Sequence, residues 1–129
     1  MNKLDKQSVI GISALLVHAA NIDEIYSEHE KDLIKDFIRS YLKDEDASKI
    51  LEKSEKIESN SNQLLNYTKI IKQNSMEIKK DIIEHLWKVI ISDKTVDQYE
   101  SNLMRRICGL IYFPDKECAE IKLKLINKK

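Results

Sequence analysis

The chain has 129 residues, of which 22 are basic and 22 acidic, and it contains only two glycines and one proline. This length fits a single domain over residues 1–129 with a sizeable hydrophobic core, and the scarcity of turn-forming residues excludes a sheet-rich protein. The balanced charge gives no indication of a nucleic-acid-binding protein with a strongly basic face, so we expect no nucleic-acid partner.

Apolar residues recur at 3.6-residue spacing and predict an all-α protein of about seven helices. The fifth helix is the most hydrophobic, and we expect it to be the central, most buried element. The polar run Ser59–Asn62 is the most loop-like stretch and predicts a hinge between two halves. The predicted helices cover, in chain order, about 4–21, a stretch from the capping box at Ser27, a stretch from Ala47, 63–73, 76–91, 98–112 and a stretch from Pro114.

The apolar run Val9–Ala20 near the N-terminus is interrupted by polar residues. It is therefore too short and too mixed for a signal peptide or a membrane span, and we predict a cytoplasmic protein without a transmembrane segment. The charges are unevenly distributed: residues 21–46 carry nine acids and four bases, whereas residues 101–129 carry seven bases and three acids. Two poles of opposite sign and a uniformly solvated helical surface both fit this distribution.

The residue types that most often carry chemistry are few. Cys108 and Cys118 are predicted to be reduced thiols, since two cysteines without a Cys-x-x-Cys pattern predict neither a disulfide nor a zinc site. For Cys108, we favour a small buried hydrophobe over a reactive thiol. We expect Trp87 and Tyr99 to have packing roles. We expect the three histidines, His18, His29 and His85, to be partly exposed.

A helix, a short acidic loop and a second helix occur twice, about seventy residues apart. Ser27 in the first copy stands where the second copy has Asp97. This repetition predicts an internal duplication of a helix–acidic loop–helix unit. Five positions are identical in the two copies, and they pair Ile12 with Ile82, Leu16 with Leu86, Asp23 with Asp93, Glu30 with Glu100 and Leu33 with Leu103.

The repeated pattern, Asp-x-x-x-(Asp/Ser)-x-x-Glu between two helices, resembles the TerB-like family. That family includes the tellurite-resistance protein TerB and the N-terminal domain of the DjlA co-chaperones. The resemblance covers essentially the whole chain and implies an all-helical fold of about seven helices. It also implies a role in stress response or in membrane-associated complexes, and an acidic surface that holds metal ions. The chain departs from the family at Glu24 and Lys94, where relatives have glycine after the aspartate.

The acidic loops allow two interpretations. In the first, which we favour, Asp97 and Glu100 form a capping box for the sixth helix and Asp93 binds backbone amides in the turn. In the second, the carboxylates bind a divalent cation weakly, because Ca²⁺ and Mg²⁺ prefer oxygen ligands. The candidate ligands are Asp93, Asp97, Glu100, Asp23 and Glu30.

No catalytic motif occurs in the sequence, and with Gly11 and Gly109 as the only glycines a glycine-rich phosphate-binding loop is excluded. We therefore expect a non-enzymatic accessory or interaction domain with a protein partner. The resemblance to the TerB-like family implies a stress-related role and peripheral association with a membrane complex. The alternative is a metal-sequestering protein or a small metal-dependent enzyme that uses the same carboxylates.

Overall fold

The computed structural model describes residues 4–21, 27–60, 64–91 and 98–127, and these ranges are almost entirely helical. The predicted all-α class is confirmed, and the helices begin and end close to the predicted residues. Among the described helices, none combines the length and the apolar character needed to cross a membrane. The helices are α1 (Lys6–Ala20), α2 (Glu28–Tyr41), α3 (Ala47–Asn60), α4 (Leu64–Lys72), α5 (Met76–Ile91), α6 (Gln98–Leu110) and α7 (Asp115–Asn127).

Side chains cap the first three helices, where backbone N–H groups have no partner within the helix. Asp5 accepts a hydrogen bond from the Ser8 N–H at 2.7 Å and begins α1. The capping box predicted at Ser27 begins α2. Asp46 accepts a hydrogen bond from the Ser48 N–H at 3.0 Å and begins α3, as the acidic run before that helix predicts.

The centre of the fold is α1, which packs against α2, α3, α4 and α5. Ten of its fifteen residues are buried, compared with nine of sixteen in α5. The prediction that α5 is the most buried element is therefore wrong, although Leu86 in α5 is fully buried as predicted. Small side chains such as Ala14, Ala19 and Ala20 let neighbouring helices pack closely around α1. The prediction ranked helices by hydrophobicity, and alanine contributes little to that ranking.

Two buried serines lie in this central layer. The Ser54 hydroxyl in α3 lies 3.1 Å from the Ile10 carbonyl oxygen of α1 and 3.0 Å from the Ile50 carbonyl oxygen of its own helix. The Ser13 hydroxyl in α1 is equally buried, but it has no hydrogen-bond partner among the described residues. The Ser54 hydroxyl is therefore expected to stabilise the fold. The Ser13 hydroxyl is expected to destabilise it, because burying an unpaired hydroxyl costs free energy.

A tight turn joins α6 to α7. Tyr112 adopts a positive φ of 59°, and the Phe113 N–H donates to the Cys108 carbonyl oxygen at 2.9 Å, as in a Schellman motif. The sequence predicted Pro114 as the first residue of α7. The helix begins one residue later, at Asp115, so Pro114 directly precedes it. The turn folds α7 back against α6 and brings its first turn near the end of α6.

Parts of two predictions lie outside the described residues. The loops of the predicted duplication, residues 22–26 and 92–97, are not among them, so the superposition of the two units stays a prediction. The predicted hinge Ser59–Asn62 is partly described, and there α3 continues through Asn60.

Candidate functional site

The candidate cation ligands fall mostly outside the described part of the chain. Asp23, Asp93 and Asp97 are not described, and Glu100 lies in the first turn of α6, where its side chain is not described. Whether these four carboxylates come together therefore stays a prediction. Glu30 is the one candidate ligand whose side chain is described, and it lies in the first turn of α2.

The Glu30 side chain is already engaged in capping α2. One carboxylate oxygen, Oε1, accepts hydrogen bonds from the Ser27 N–H at 2.8 Å and from the Ser27 hydroxyl at 3.1 Å. In return, the Glu30 N–H donates to the Ser27 hydroxyl oxygen at 3.2 Å, which completes the capping box. Because Glu30 is only 3% exposed, this geometry fits a structural role.

Within the described residues, no three His, Cys, Asp or Glu side chains are grouped so as to hold a metal ion. His18 lies 3.4 Å from a carboxylate oxygen of Glu58, and His29 is exposed. His18 and His85 are partly buried and Trp87 is buried, in agreement with the prediction of ordinary structural roles. The side chain of Tyr99 lies outside the described residues.

A surface groove between α2 and α5 brings polar side chains together. It encloses about 460 Å³. Among its lining residues, three side chains are acidic and one is basic, which gives the groove a net negative charge. We call it the α2–α5 groove, and it is lined by Ser40, Tyr41, Glu77, Lys80, Asp81 and Glu84.

Asp81 is the centre of a hydrogen-bonded cluster in this groove. The Tyr41 hydroxyl donates to Asp81 Oδ2 at 2.6 Å. His85 Nδ1 lies 2.9 Å from the Asp81 carbonyl oxygen and 3.6 Å from Asp81 Oδ1. Since a carbonyl oxygen only accepts, Nδ1 carries a proton in this arrangement. The rings of Tyr41 and His85 both pack against Phe37, with centroids 5.2 Å and 5.1 Å away.

The hydroxyl groups of the groove are engaged in the fold. The Ser40 hydroxyl donates to the Phe37 carbonyl oxygen at 2.6 Å. Partial burial, together with the hydrogen bond to Asp81 and its negative charge, raises the pKa of Tyr41 above its ordinary range. Tyr41 therefore stays protonated at neutral pH and serves as a hydrogen-bond donor to Asp81.

The sequence pattern did not predict this cluster. Tyr41 lies on the apolar stripe of α2, and Asp81 is one of many charged residues on α5. The two residues are forty positions apart, so their contact depends on the packing of α2 against α5. The available signal was a tyrosine on a core-facing stripe, because a buried tyrosine hydroxyl usually needs a partner.

Comparison with known protein families identifies a match. A family model described as tellurite resistance protein TerB matches residues 10–123, which run from within α1 to within α7. No curated protein and no solved structure matches the chain. The resemblance drawn from the acidic repeats is thereby confirmed, since the matched range covers most of the sequence.

Proposed function

The chain belongs to the TerB family, and we propose that it is a non-enzymatic interaction domain whose α2–α5 groove binds a basic segment of a protein partner. The observation that carries this proposal is the charge of the groove, where Lys80 is the single cation beside Glu77, Asp81 and Glu84 among the described lining residues. Carboxylates around a concave surface attract a cationic partner and orient it during association.

The state of the hydroxyl groups favours binding over catalysis in this groove. The Ser40 hydroxyl donates a hydrogen bond to a backbone carbonyl, and the Tyr41 hydroxyl donates a hydrogen bond to Asp81, so both polar groups already stabilise the fold. A nucleophile or general base needs a free lone pair directed at substrate and a pKa near the working pH. The raised pKa of Tyr41 opposes that role.

Site-specific photocrosslinking in the native cell tests the proposed groove. A photoreactive phenylalanine analogue would replace the exposed Ser40 in the groove, and in a control it would replace the exposed Lys53 on α3. We expect a discrete crosslinked protein from position 40, none from position 53, and loss of the product when Glu77→Lys and Glu84→Lys are added. A crosslink that is insensitive to these charge reversals would contradict the proposal.

We further propose that the second acidic loop binds a divalent cation weakly, with Asp93, Asp97 and Glu100 as ligands. Glu30 is left out of the proposed ligand set because its carboxylate is engaged in the capping box of α2. Titration calorimetry with Ca²⁺, Mg²⁺, Mn²⁺ and Zn²⁺ tests the proposal, and we expect millimolar affinity for Ca²⁺ or Mg²⁺. Affinity near micromolar would instead favour the alternative, a metal-sequestering protein or a small metal-dependent enzyme.

The description of the family supports a stress-related role for the proposed complex. Deletion of the gene should lower survival of the native cell on tellurite or under another stress, and wild-type protein should restore it. A protein carrying Glu77→Lys and Glu84→Lys should not restore survival if the role depends on the α2–α5 groove. Equal survival of the deletion strain and its parent would contradict the stress-related role.

A further inference from the structure

A second pocket, of about 560 Å³, lies where α5, α6 and α7 meet, and it shares no lining residue with the α2–α5 groove. Cys118 lines this pocket, and the fully buried Cys108 side chain interacts with that of Cys118. We call this the thiol pocket, and it is lined by Trp87, Met104, Arg105, Asp115, Cys118 and Lys122, together with Ser101 and Ala119.

The Cys118 sulfur is surrounded by donors and positive charge. The Trp87 Nε1–H donates to Cys118 Sγ at 3.3 Å. The side chains of Cys108 and Cys118 also interact with each other. Lys122 Nζ lies 5.3 Å from the centre of the Trp87 ring, on the pocket wall. Cys118 also lies in the first turn of α7, at the positive end of the helix dipole. Each of these features stabilises a thiolate more than a thiol.

The two thiols therefore differ in pKa. The hydrogen bond from Cys108, followed by that from Trp87 and the charge of Lys122, lowers the pKa of Cys118, against the opposing effects of burial and of Asp115. The pKa of Cys108 is raised by its side-chain interaction with Cys118 and by burial. Of the two sulfurs, Cys118 therefore has the greater thiolate character.

We propose that Cys118 and Cys108 form a reversible oxidation site, in which a small hydroperoxide enters the thiol pocket and oxidises Cys118, and Cys108 then closes a disulfide between α6 and α7. Cys118 lines the open pocket, whereas Cys108 is fully buried and is not among the described lining residues. This arrangement separates the attacking sulfur from the resolving sulfur.

The proposed chemistry has two balanced steps. In the first, the Cys118 thiolate attacks one peroxide oxygen, so an S–O bond forms and the O–O bond breaks. The sulfur loses two electrons, and the other oxygen leaves with a proton as an alcohol or as water. In the second, the Cys108 sulfur attacks the sulfenic sulfur, an S–S bond forms, and the thiol proton leaves with the hydroxyl as water. A dithiol reductant restores both thiols by thiol–disulfide exchange.

Hydrogen peroxide and the folded wild-type protein test this proposal by mass spectrometry. We expect the loss of two hydrogen atoms, a peptide linked through Cys108 and Cys118, and full recovery with a dithiol reductant. A sulfenate-trapping dione added during oxidation should label Cys118 before Cys108. Because Trp87 is the only tryptophan and contacts Cys118, its fluorescence should fall as the disulfide forms and recover on reduction.

Matched variants separate the roles of the two sulfurs. In Cys108→Ser, Cys118 should still react and accumulate as sulfenic acid, whereas in Cys118→Ser the remaining Cys108 should react at least about tenfold more slowly. Trp87→Phe keeps an aromatic ring but removes the N–H donor, and it should slow oxidation of Cys118. Equal labelling of both sulfurs in the wild-type protein, or the absence of an intramolecular disulfide, would overturn the proposal even if a serine variant failed to fold.

Discussion

The Tyr41 hydroxyl donates a 2.6 Å hydrogen bond to Asp81 Oδ2 and so joins α2 to α5 inside the α2–α5 groove. One contact thus has two consequences. It stabilises the packing of two helices, and it orients a carboxylate at a surface that we propose binds a basic partner. A phenol that donates to a carboxylate contributes more than a neutral hydrogen bond, because the acceptor is charged.

Tyr41→Phe removes this hydrogen bond and keeps the ring that packs against Phe37. We expect the free energy of unfolding to fall by about 1–2 kcal/mol, toward the lower part of the range for a charged acceptor because the site is only partly buried. Urea unfolding at neutral pH measures the change. Tyr112→Phe is the matched control, because the Tyr112 side chain is 68% exposed. The free energy of unfolding of this variant should equal that of wild type.

The stabilisation by Tyr41 should depend on pH in a defined direction. Because the pKa of Tyr41 is raised in the folded protein, its contribution is fully present below the unfolded-state pKa of about 10 and is lost as pH rises through the folded-state pKa. The stability difference between wild type and Tyr41→Phe should therefore be constant from about pH 7 to about pH 9 and shrink at higher pH. A difference that grows above pH 10 would contradict this assignment.

Leu86→Ala tests the packing of α5 against its neighbours. The side chain is fully buried, so its truncation should lower the free energy of unfolding by about 2–5 kcal/mol through lost burial and an unfilled cavity. Leu123→Ala on α7 is the control, because Leu123 is 56% exposed and should cost less than about 0.5 kcal/mol. Similar losses for the two variants, measured by urea unfolding, would mean that Leu86 does not lie in the core.

The two buried serines should respond to alanine in opposite directions. Ser13→Ala removes a hydroxyl that is unpaired within the described residues and should raise the free energy of unfolding by about 1 kcal/mol. Ser54→Ala removes the hydroxyl next to the Ile10 carbonyl and should lower it by about 1 kcal/mol. Both are measured by chemical unfolding, and a loss of stability in Ser13→Ala would indicate a hydrogen bond to that hydroxyl.

Asp97→Ser distinguishes a helix cap from a cation ligand in the second acidic loop. Serine caps a helix nearly as well as aspartate, so without metal the variant should lose only a few tenths of a kcal/mol. As a ligand, serine lacks the charged oxygen, so the weak stabilisation by Ca²⁺ or Mg²⁺ should disappear. Melting temperatures with chelator and with millimolar cation, for both proteins, measure the two effects. A large cation-dependent stabilisation that survives in Asp97→Ser would exclude this residue as a ligand.

Local features of the fold were predictable from the sequence because they depend on neighbouring residues. The capping box of Ser27 and Glu30 follows from a three-residue spacing, and the structure confirms it. The helix ranges follow from apolar spacing in the same way. The role of Glu30 was left open between cap and ligand, and its burial and contacts with Ser27 favour the cap.

Features that depend on which helices meet were not predictable. The central position of α1 depends on its packing against four other helices. The contact between Tyr41 and Asp81 depends on the packing of α2 against α5. The same is true of the thiol pocket, because Cys108 and Cys118 were predicted as unrelated reduced side chains and the turn between α6 and α7 brings them together. Helical spacing identifies a buried face, but it does not identify the helix that covers it.

The central claim is that the α2–α5 groove binds a basic segment through its carboxylates. The most direct measurement is the affinity for the segment crosslinked at position 40, determined by calorimetry for wild type and for Glu77→Lys with Glu84→Lys. Asp44→Lys with Glu52→Lys, on exposed sites outside the groove, is a control with the same change in net charge. We predict that the groove variant binds about tenfold more weakly or worse while the control binds like wild type. Equal weakening in both variants would show a general charge effect and contradict a specific site in the groove.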